Sequence, residues 1–394
     1  MEALPTAARA EVPGTPLGLY VHVPFCIRRC GYCAFVTYAE GETGDADAHR
    51  RWADAAVQEV ALADRVLGAD RPALTSVYFG GGTPTSVDPD LLGRVLAEVR
   101  RRFDVGPATE VTVEANPDGL RPGRLERLRE LGATRVSFGL QSASTRVLEL
   151  LDRTHPPERA VAAVAGARAA GFDQVSLDLI HGTPGETAGE WTATVALALS
   201  SGVDHLSAYA LAVEPGTKLA ARVRRGELPA PVADDAADRY EVLDRACRDA
   251  GLDWYELSNW ADRPAARCRH NLLYWRNQNW WGVGPGAHSH VGPVRWWNPA
   301  GLAAWWDPLA VGRSPVEGSE VLDAAERRTE RIMLGLRLAE GLAVSGDLDP
   351  DGIAALVDDG LVDIAGATTG EDQDRLVLTD RGRLLADLVA RRLL

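Results

Sequence analysis

Six short apolar runs, each followed by a stretch of helical texture, constrain this chain more than any other feature. They are 17–23 (LGLYVHV), 75–79 (TSVYF), 109–115 (TEVTVEA), 134–140 (TRVSFGL), 173–180 (DQVSLDLI) and 204–211 (DHLSAYAL). All are rich in Val, Leu and aromatic residues, as strands buried on both faces are. Helical stretches lie between them, near 48–68, 88–102, 122–131, 144–170 and 187–201. Alternation of this kind predicts an α/β fold: parallel strands joined by helical crossovers, wound as a barrel or an open partial barrel. In either form, ligands gather at the carboxyl ends of the strands.

The remainder reads differently. After a helix at 233–250, seven of the eleven tryptophans fall within 275–306 among Asn, Gly and Pro, with weak periodicity. The end of the chain then reads as a small unit: a helix near 323–338, another at 350–359, and a closing strand, turn and helix (RLVLTDRGRLLADLVARRLL). That order resembles a winged helix. The expected organisation is a tail at 1–16, a barrel at 17–250, a Trp-rich linking segment at 251–322 and a C-terminal α+β domain at 323–394.

With 394 residues, 46% hydrophobic and 25% charged, the composition is that of a soluble globular protein. A net charge of −14 argues against nucleic acid as a partner, so the winged-helix-like end is expected to serve packing. No apolar run reaches the ~18 residues of a membrane span, and residues 1–16 lack a secretory pattern. Cysteines number five, three of them within eight residues. Such spacing is too tight for a disulfide framework and points to metal or redox chemistry in a reducing compartment, so the expected location is the cytoplasm.

Cys26, Cys30 and Cys33 follow the first strand in the order C-x-x-x-C-x-x-C (PFCIRRCGYC). Three thiolates from one loop can cap three irons of a [4Fe-4S] cluster and leave the fourth iron open. A zinc site completed by His22 or the distant Cys268 is the alternative from the cysteines alone. The second strand ends in Gly80-Gly81-Gly82-Thr83-Pro84-Thr85. Consecutive glycines let a ligand's polar end approach backbone N–H and C=O groups; a tight strand–helix turn would use them as well.

Together these motifs resemble the radical S-adenosylmethionine (radical SAM) superfamily, in its oxygen-independent coproporphyrinogen oxidase-like branch, over about residues 17 to 394. The resemblance implies a partial (β/α)6 barrel carrying a [4Fe-4S] cluster on Cys26, Cys30 and Cys33. It also implies SAM held by residues on consecutive strand ends. Those are Tyr20 on the first strand, Tyr32 between the last two cysteines, and Gly81, Gly82 and Thr83. Further along the chain they are Glu114, Gln141, Arg153, Asp178 and Ala210.

Within the branch, two departures set this chain apart from the oxidases. Ala34-Phe35 stands where the oxidase pattern has a fourth cysteine, and only about sixteen residues precede the first strand. His270-Asn271-Leu272-Leu273-Tyr274-Trp275 matches the H-N-x-x-Y-W signature of the HemW-type heme chaperones. This resemblance implies heme as cargo, His270 as an axial ligand, and an acceptor protein, membrane-bound acceptors included. His288, His290 and Cys268 are competing ligands. Trp275, Trp280 and Trp281 would meet the porphyrin, and Arg267, Arg269 and Arg276 its propionates. Neither SAM turnover nor a choice between monomer and homodimer follows from the sequence. The alternative reading is a radical enzyme that decarboxylates coproporphyrinogen III.

Overall fold

Six parallel strands carry the ends on which the site is built. They are β1 (Leu17–Val23), β2 (Leu74–Gly81), β3 (Glu110–Ala115), β4 (Arg135–Gln141), β5 (Gln174–His181) and β6 (His205–Ala210). In the computed structural model of the chain, which describes residues 3–366 and 373–394, each pairs with the next in chain order. The helices that return the chain are α2 (Ala48–Leu67), α3 (Pro89–Arg102), α4 (Arg124–Leu131), α5 (Thr145–Leu150), α6 (Pro157–Ala169) and α7 (Ala188–Ser200); a short α1 (Thr6–Glu11) precedes β1. Strand residues such as Leu19, Val21, Val77, Val113, Phe138 and Leu177 are fully buried between sheet and helices. The alternate residues, among them Tyr20, Tyr78, Ser137, Asp178 and Ser207, line the cavity instead, so each strand carries apolar packing on one face and polar groups on the other.

The helix expected across 144–170 is two helices. The first ends at Leu150, with Asp152 at φ +57°, and the second starts at Pro157, since proline fits a first turn and Pro156 before it is held extended. The break at 151–156 also turns Arg153 inward, so it serves the site.

The Trp-rich stretch extends the same sheet. After α8 (Lys218–Arg224) and α9 (Ala233–Asp249) come β7 (Asp253–Glu256), β8 (Asn259–Ala261), α10 (Arg269–Trp275), β9 (Asn279–Val283), β10 (His288–Val291), β11 (Val294–Trp297), α11 (Leu302–Ala310) and β12 (Gly318–Val321). The twelve strands lie in the order β12-β11-β10-β9-β1-β2-β3-β4-β5-β6-β8-β7. β9 adds a seventh parallel strand beside β1, and antiparallel strands finish both edges. A buried carboxylate braces this extension. Glu59 of α2 accepts from the Gly284 amide (2.8 Å), Asn298 Nδ2 (2.7 Å) and Trp305 Nε1 (2.7 Å). Strands this short, two of them facing tryptophans across the sheet, leave little periodicity to read.

Beyond it stand α12 (Ala324–Gly335), β13 (Leu342–Ala343), α13 (Pro350–Asp358), β14 (Val362–Ala365) and β15 (Arg375–Leu378), then two short helices. They enclose their own core of Ile332, Leu336, Leu356, Leu376, Val389 and Leu393. A buried bidentate ion pair ties this unit to α9: Arg383 donates to both Asp244 oxygens at 2.7 Å, and Trp260 Nε1 adds a third donor at 2.9 Å. Burial opposes ionisation of Asp244, yet the hydrogen bonds from Arg383 and Trp260 prevail and hold its carboxyl at about 2.

Arg383→Leu leaves that carboxylate without its main partner, and loss of one member of a buried pair is expected to destabilise by about 3 kcal/mol. Denaturant unfolding checks this. Because the folded carboxyl lies below its unfolded value, the pair's contribution is full above about pH 4 and is lost as pH falls toward 2. The wild-type advantage over the variant should shrink across that window.

Candidate functional site

The strand ends open into a cavity of about 870 Å³. Cys26, Cys30, Cys33, Tyr20, Tyr32, Gly81, Gly82, Thr83, Glu114, Gln141, Arg153, Asp178, Ala210 and His270 line it, with Cys268; the other residues expected to meet heme (Trp275, Trp280, Trp281, Arg267, Arg269, Arg276, His288 and His290) do not. The first thirteen belong to strand ends and to loops beyond them. His270 is at the floor.

The cysteine loop is pinned at several points. Tyr38 N–H reaches Pro24 O (2.6 Å), Gly31 N–H reaches Leu151 O (3.1 Å), and Leu219 N–H reaches Gly31 O (2.8 Å). Each cysteine sulfur meets a hydrogen-bond donor from a different source. Thr83 Oγ1 points at Cys26 Sγ (3.7 Å), Arg153 Nη1 at Cys30 Sγ (3.5 Å), and the Phe35 amide at Cys33. Burial pushes the Cys26 thiol up to about 11 and raises Cys33 as well, so the free thiols stay protonated. A bound metal centre reverses this by taking thiolates, and donors to cluster sulfurs tune such centres. The three sulfurs do not close on one point as donors to a single ion would. His22 Nε2–H donates to Val36 O (2.8 Å) while Nδ1 accepts from Tyr20 O–H (2.9 Å). Cys268 lies at the floor against Glu110, so neither proposed fourth zinc ligand is at hand.

The glycine turn does more than make room for a ligand. Gly82 N–H donates to Val23 O (2.9 Å), Thr83 N–H to Phe25 O (2.7 Å) and Gly81 N–H to Glu114 Oε2 (3.1 Å). These three amides are therefore committed within the protein, and carbonyls are the backbone groups the turn can offer an ammonium. A methyl on Gly82 would lie 2.8 Å from Val23 O and 2.7 Å from Phe25 O. Gly81 has φ +105° and holds the His22 ring where a side chain would go. Glycine is required here for backbone docking.

On the other strand ends, polar groups face the cavity. Tyr78 O–H donates to Glu114 Oε1 at 2.7 Å. Ser137 Oγ donates to Asp178 Oδ1 at 2.9 Å, and Ser207 to the same carboxylate. Burial, then Asp178, push Glu114 up to about 7; burial raises Asp178 too. Among the described residues, Tyr78 and the Gly81 amide bond Glu114 and no cationic side chain does. β4 ends in a bulge at Gly139–Gln141, with Gln141 at φ +65°, which aims its amide toward Tyr32 O–H (3.3 Å). Arg153 donates to Gly139 O (3.0 Å), while its buried Nε has no partner. Two carboxylates, a guanidinium with a spare donor and free carbonyls suit a zwitterionic ligand with an extra positive centre, as SAM is.

The floor is α10. Glu110 of β3 accepts from the Arg269 amide at 3.0 Å and the His270 amide at 3.3 Å, closing the helix start. His270 is 1% exposed. Its Nδ1 meets Ser76 Oγ and its Nε2 meets Tyr274 O–H, both at 2.8 Å. Burial drops its pKa to about 3, so the ring is neutral. With one nitrogen donating and the other accepting, both ring nitrogens are occupied here, and an iron at His270 would have to displace Ser76 or Tyr274. Asn271 donates to Glu256 at 3.0 Å, and Arg276 pairs with Glu340 at 2.6 Å across to the C-terminal unit. Ser137, Ser207, Tyr78 and His22 belong to this network but carry no signal in the sequence, since each lies within an apolar run.

The radical SAM superfamily model matches residues 20–198. The heme chaperone HemW of Mycobacterium tuberculosis is 48% identical over 387 residues, covering 98% of this chain and 96% of that protein. HemW of Bacillus subtilis is 31% identical, covering 94% and 97%. Coproporphyrinogen III oxidase (HemN) from Escherichia coli superposes with a TM-score of 0.81 at 23% identity over 98% of this chain and 92% of that one, a likeness of fold.

Two measurements test the site. Gly82→Ala should push the cysteine loop outward and lower the iron and sulfide held after anaerobic reconstitution from about four each per chain; elemental analysis reads this. SAM binding should strengthen as pH rises from 6 to about 8 and then level off. Glu114, with its free-state value near 7, must be ionised to meet a cation. Calorimetry in two buffers of different ionisation enthalpy should show proton release below pH 7 and little above it.

Proposed function

The chain belongs to the radical SAM superfamily and, within it, to the family of HemW heme chaperones, and from that membership we propose that it binds heme and passes it to an acceptor protein. Near-full-length likeness to proteins named for this activity carries the reading. The geometry supports its cofactors. Cys26, Cys30 and Cys33 would hold a [4Fe-4S] cluster, which when bound supplies an open iron and a reservoir for one electron. Thr83, Arg153 and the Phe35 amide stabilise the thiolates. Glu114, Asp178 and the glycine-turn carbonyls orient a cationic ligand, and Tyr32 packs over Ile180 and Leu211 to give an apolar wall.

Phe35, standing near where the oxidase pattern has a further cysteine, turns its backbone to Cys33 and leaves its side chain 69% exposed. No helix among the described residues is long and apolar enough to cross a membrane. The reading places the protein in the cytoplasm, with its acceptor there or at a membrane.

Anaerobic reconstitution followed by incubation with heme or with coproporphyrinogen III tests the proposal. One heme per chain by absorbance titration, with no vinyl product by chromatography, is the expected result. Conversion of propionates to vinyl groups would replace it with the oxidase reading.

A further inference from the structure

The heme reading requires an axial ligand, and both ring nitrogens of the floor histidine are occupied. Of the eight histidines, His22, His155, His181, His205, His270 and His290 are all 5% exposed or less. His205 spends both ring nitrogens on Ser176 and Tyr255, as His22 and His270 spend theirs. His290 takes the Arg295 Nε donor at 3.3 Å and lies stacked on Trp280. His49 is half-buried against Phe25. Cys268 is buried and donates to Glu110.

His288 differs from all of these. It is exposed at the start of β10, and neither ring nitrogen has a hydrogen-bond partner among the described residues. Its ring lies along Trp297, centroids 5.8 Å apart and planes 26° from parallel. Trp297 in turn lies over Gly318, where any side chain would overlap the indole. Trp280 donates to the His288 carbonyl at 3.0 Å, fixing the backbone beneath the ring. The imidazole is thus held in orientation from one side and open on the other, as an axial ligand must be.

Its position relative to the cavity follows from register. Gly18 faces His270, Trp280 pairs with Gly18, and His290 pairs with Trp280. His288, two residues before His290, therefore points to the same face of the sheet as Gly18 and Tyr20, beside the cavity and not among the residues that line it. The loop leading into it touches the cysteine loop: Gly286, at φ +68°, packs against Val36 with no room for a side chain. That cysteine loop also presents exposed Phe35, an apolar ring suited to a porphyrin face, while its Arg29 is paired with Glu42 at 2.7 Å.

We infer that His288, oriented by Trp297 at the rim of the cysteine loop, is the axial ligand for heme iron. The inference rests on the heme-chaperone reading and adds the place where the cargo sits. It also puts the cargo beside the loop that would hold the cluster, which Gly286 touches at Val36.

Heme titration of the full-length reconstituted protein tests it, with the Soret band as readout. His288→Ala should shift the band and weaken affinity by about tenfold or more, with iron content and thermal midpoint unchanged because the side chain is exposed. Added free imidazole should restore the wild-type band in that variant. His270→Ala should instead lower the thermal midpoint. A wild-type spectrum and affinity in His288→Ala, while the wild type binds one heme, would overturn the ligand and leave the chaperone reading standing. Absence of heme binding by the wild type would overturn both.

Discussion

Two backbone hydrogen bonds set the corner on which this structure depends: Gly82 N–H to Val23 O and Thr83 N–H to Phe25 O. They join the glycine turn after β2 to the chain just as it leaves β1 for the cysteines. His22 fills the adjacent space, bonded to Tyr20 on one side and to Val36 at the far end of the cysteine loop on the other. Trp52 of α2 donates to the His22 carbonyl at 2.9 Å and fastens the corner to the outer layer. These bonds hold the three half-buried cysteines in place, although burial raises the thiols of Cys26 and Cys33 against the charged form that binds metal.

Electrostatics inside the cavity then favours a cation. Glu114 and Asp178 are buried together and raise one another's cost of ionisation, and Glu114 is bonded by a phenol and an amide, not by an arginine. A neighbouring positive ligand relieves both. Arg153 provides the opposite sign at the other end, between Gly139 and Cys30. The site is therefore polarised before anything enters it.

The H-N-x-x-Y-W segment serves this arrangement from below. His270 is sandwiched near Tyr78 and Tyr20, with centroids at 5.1 and 6.1 Å, and bonded at both nitrogens. Asn271 and Arg276 tie the same helix to β7 and to the C-terminal unit. The motif thus also closes the barrel floor, while the exposed imidazole is that of His288 on the neighbouring strands.

Much of this was legible in the sequence. Six apolar runs with helices between them placed six of the seven parallel strands within a residue or two, because the face of each strand that packs under the helices must be apolar. The cysteine spacing, the glycine run and the strand-end polar residues converged on one cavity, because in such folds the carboxyl ends of the strands share one side. The break before Pro157 was present in the residues but masked by helical texture on both sides. What only the tertiary structure decided is partnership. Whether a histidine is free depends on the hydroxyls that packing brings to it, and Ser76 lies 194 residues from His270. Equally, the glycine turn was read as a ligand cradle because chain order does not show that Val23 and Phe25 return to take its amides. Residue type and spacing dictate what a side chain can do; burial and the neighbours supplied by distant segments dictate whether its donors and lone pairs remain available to do it.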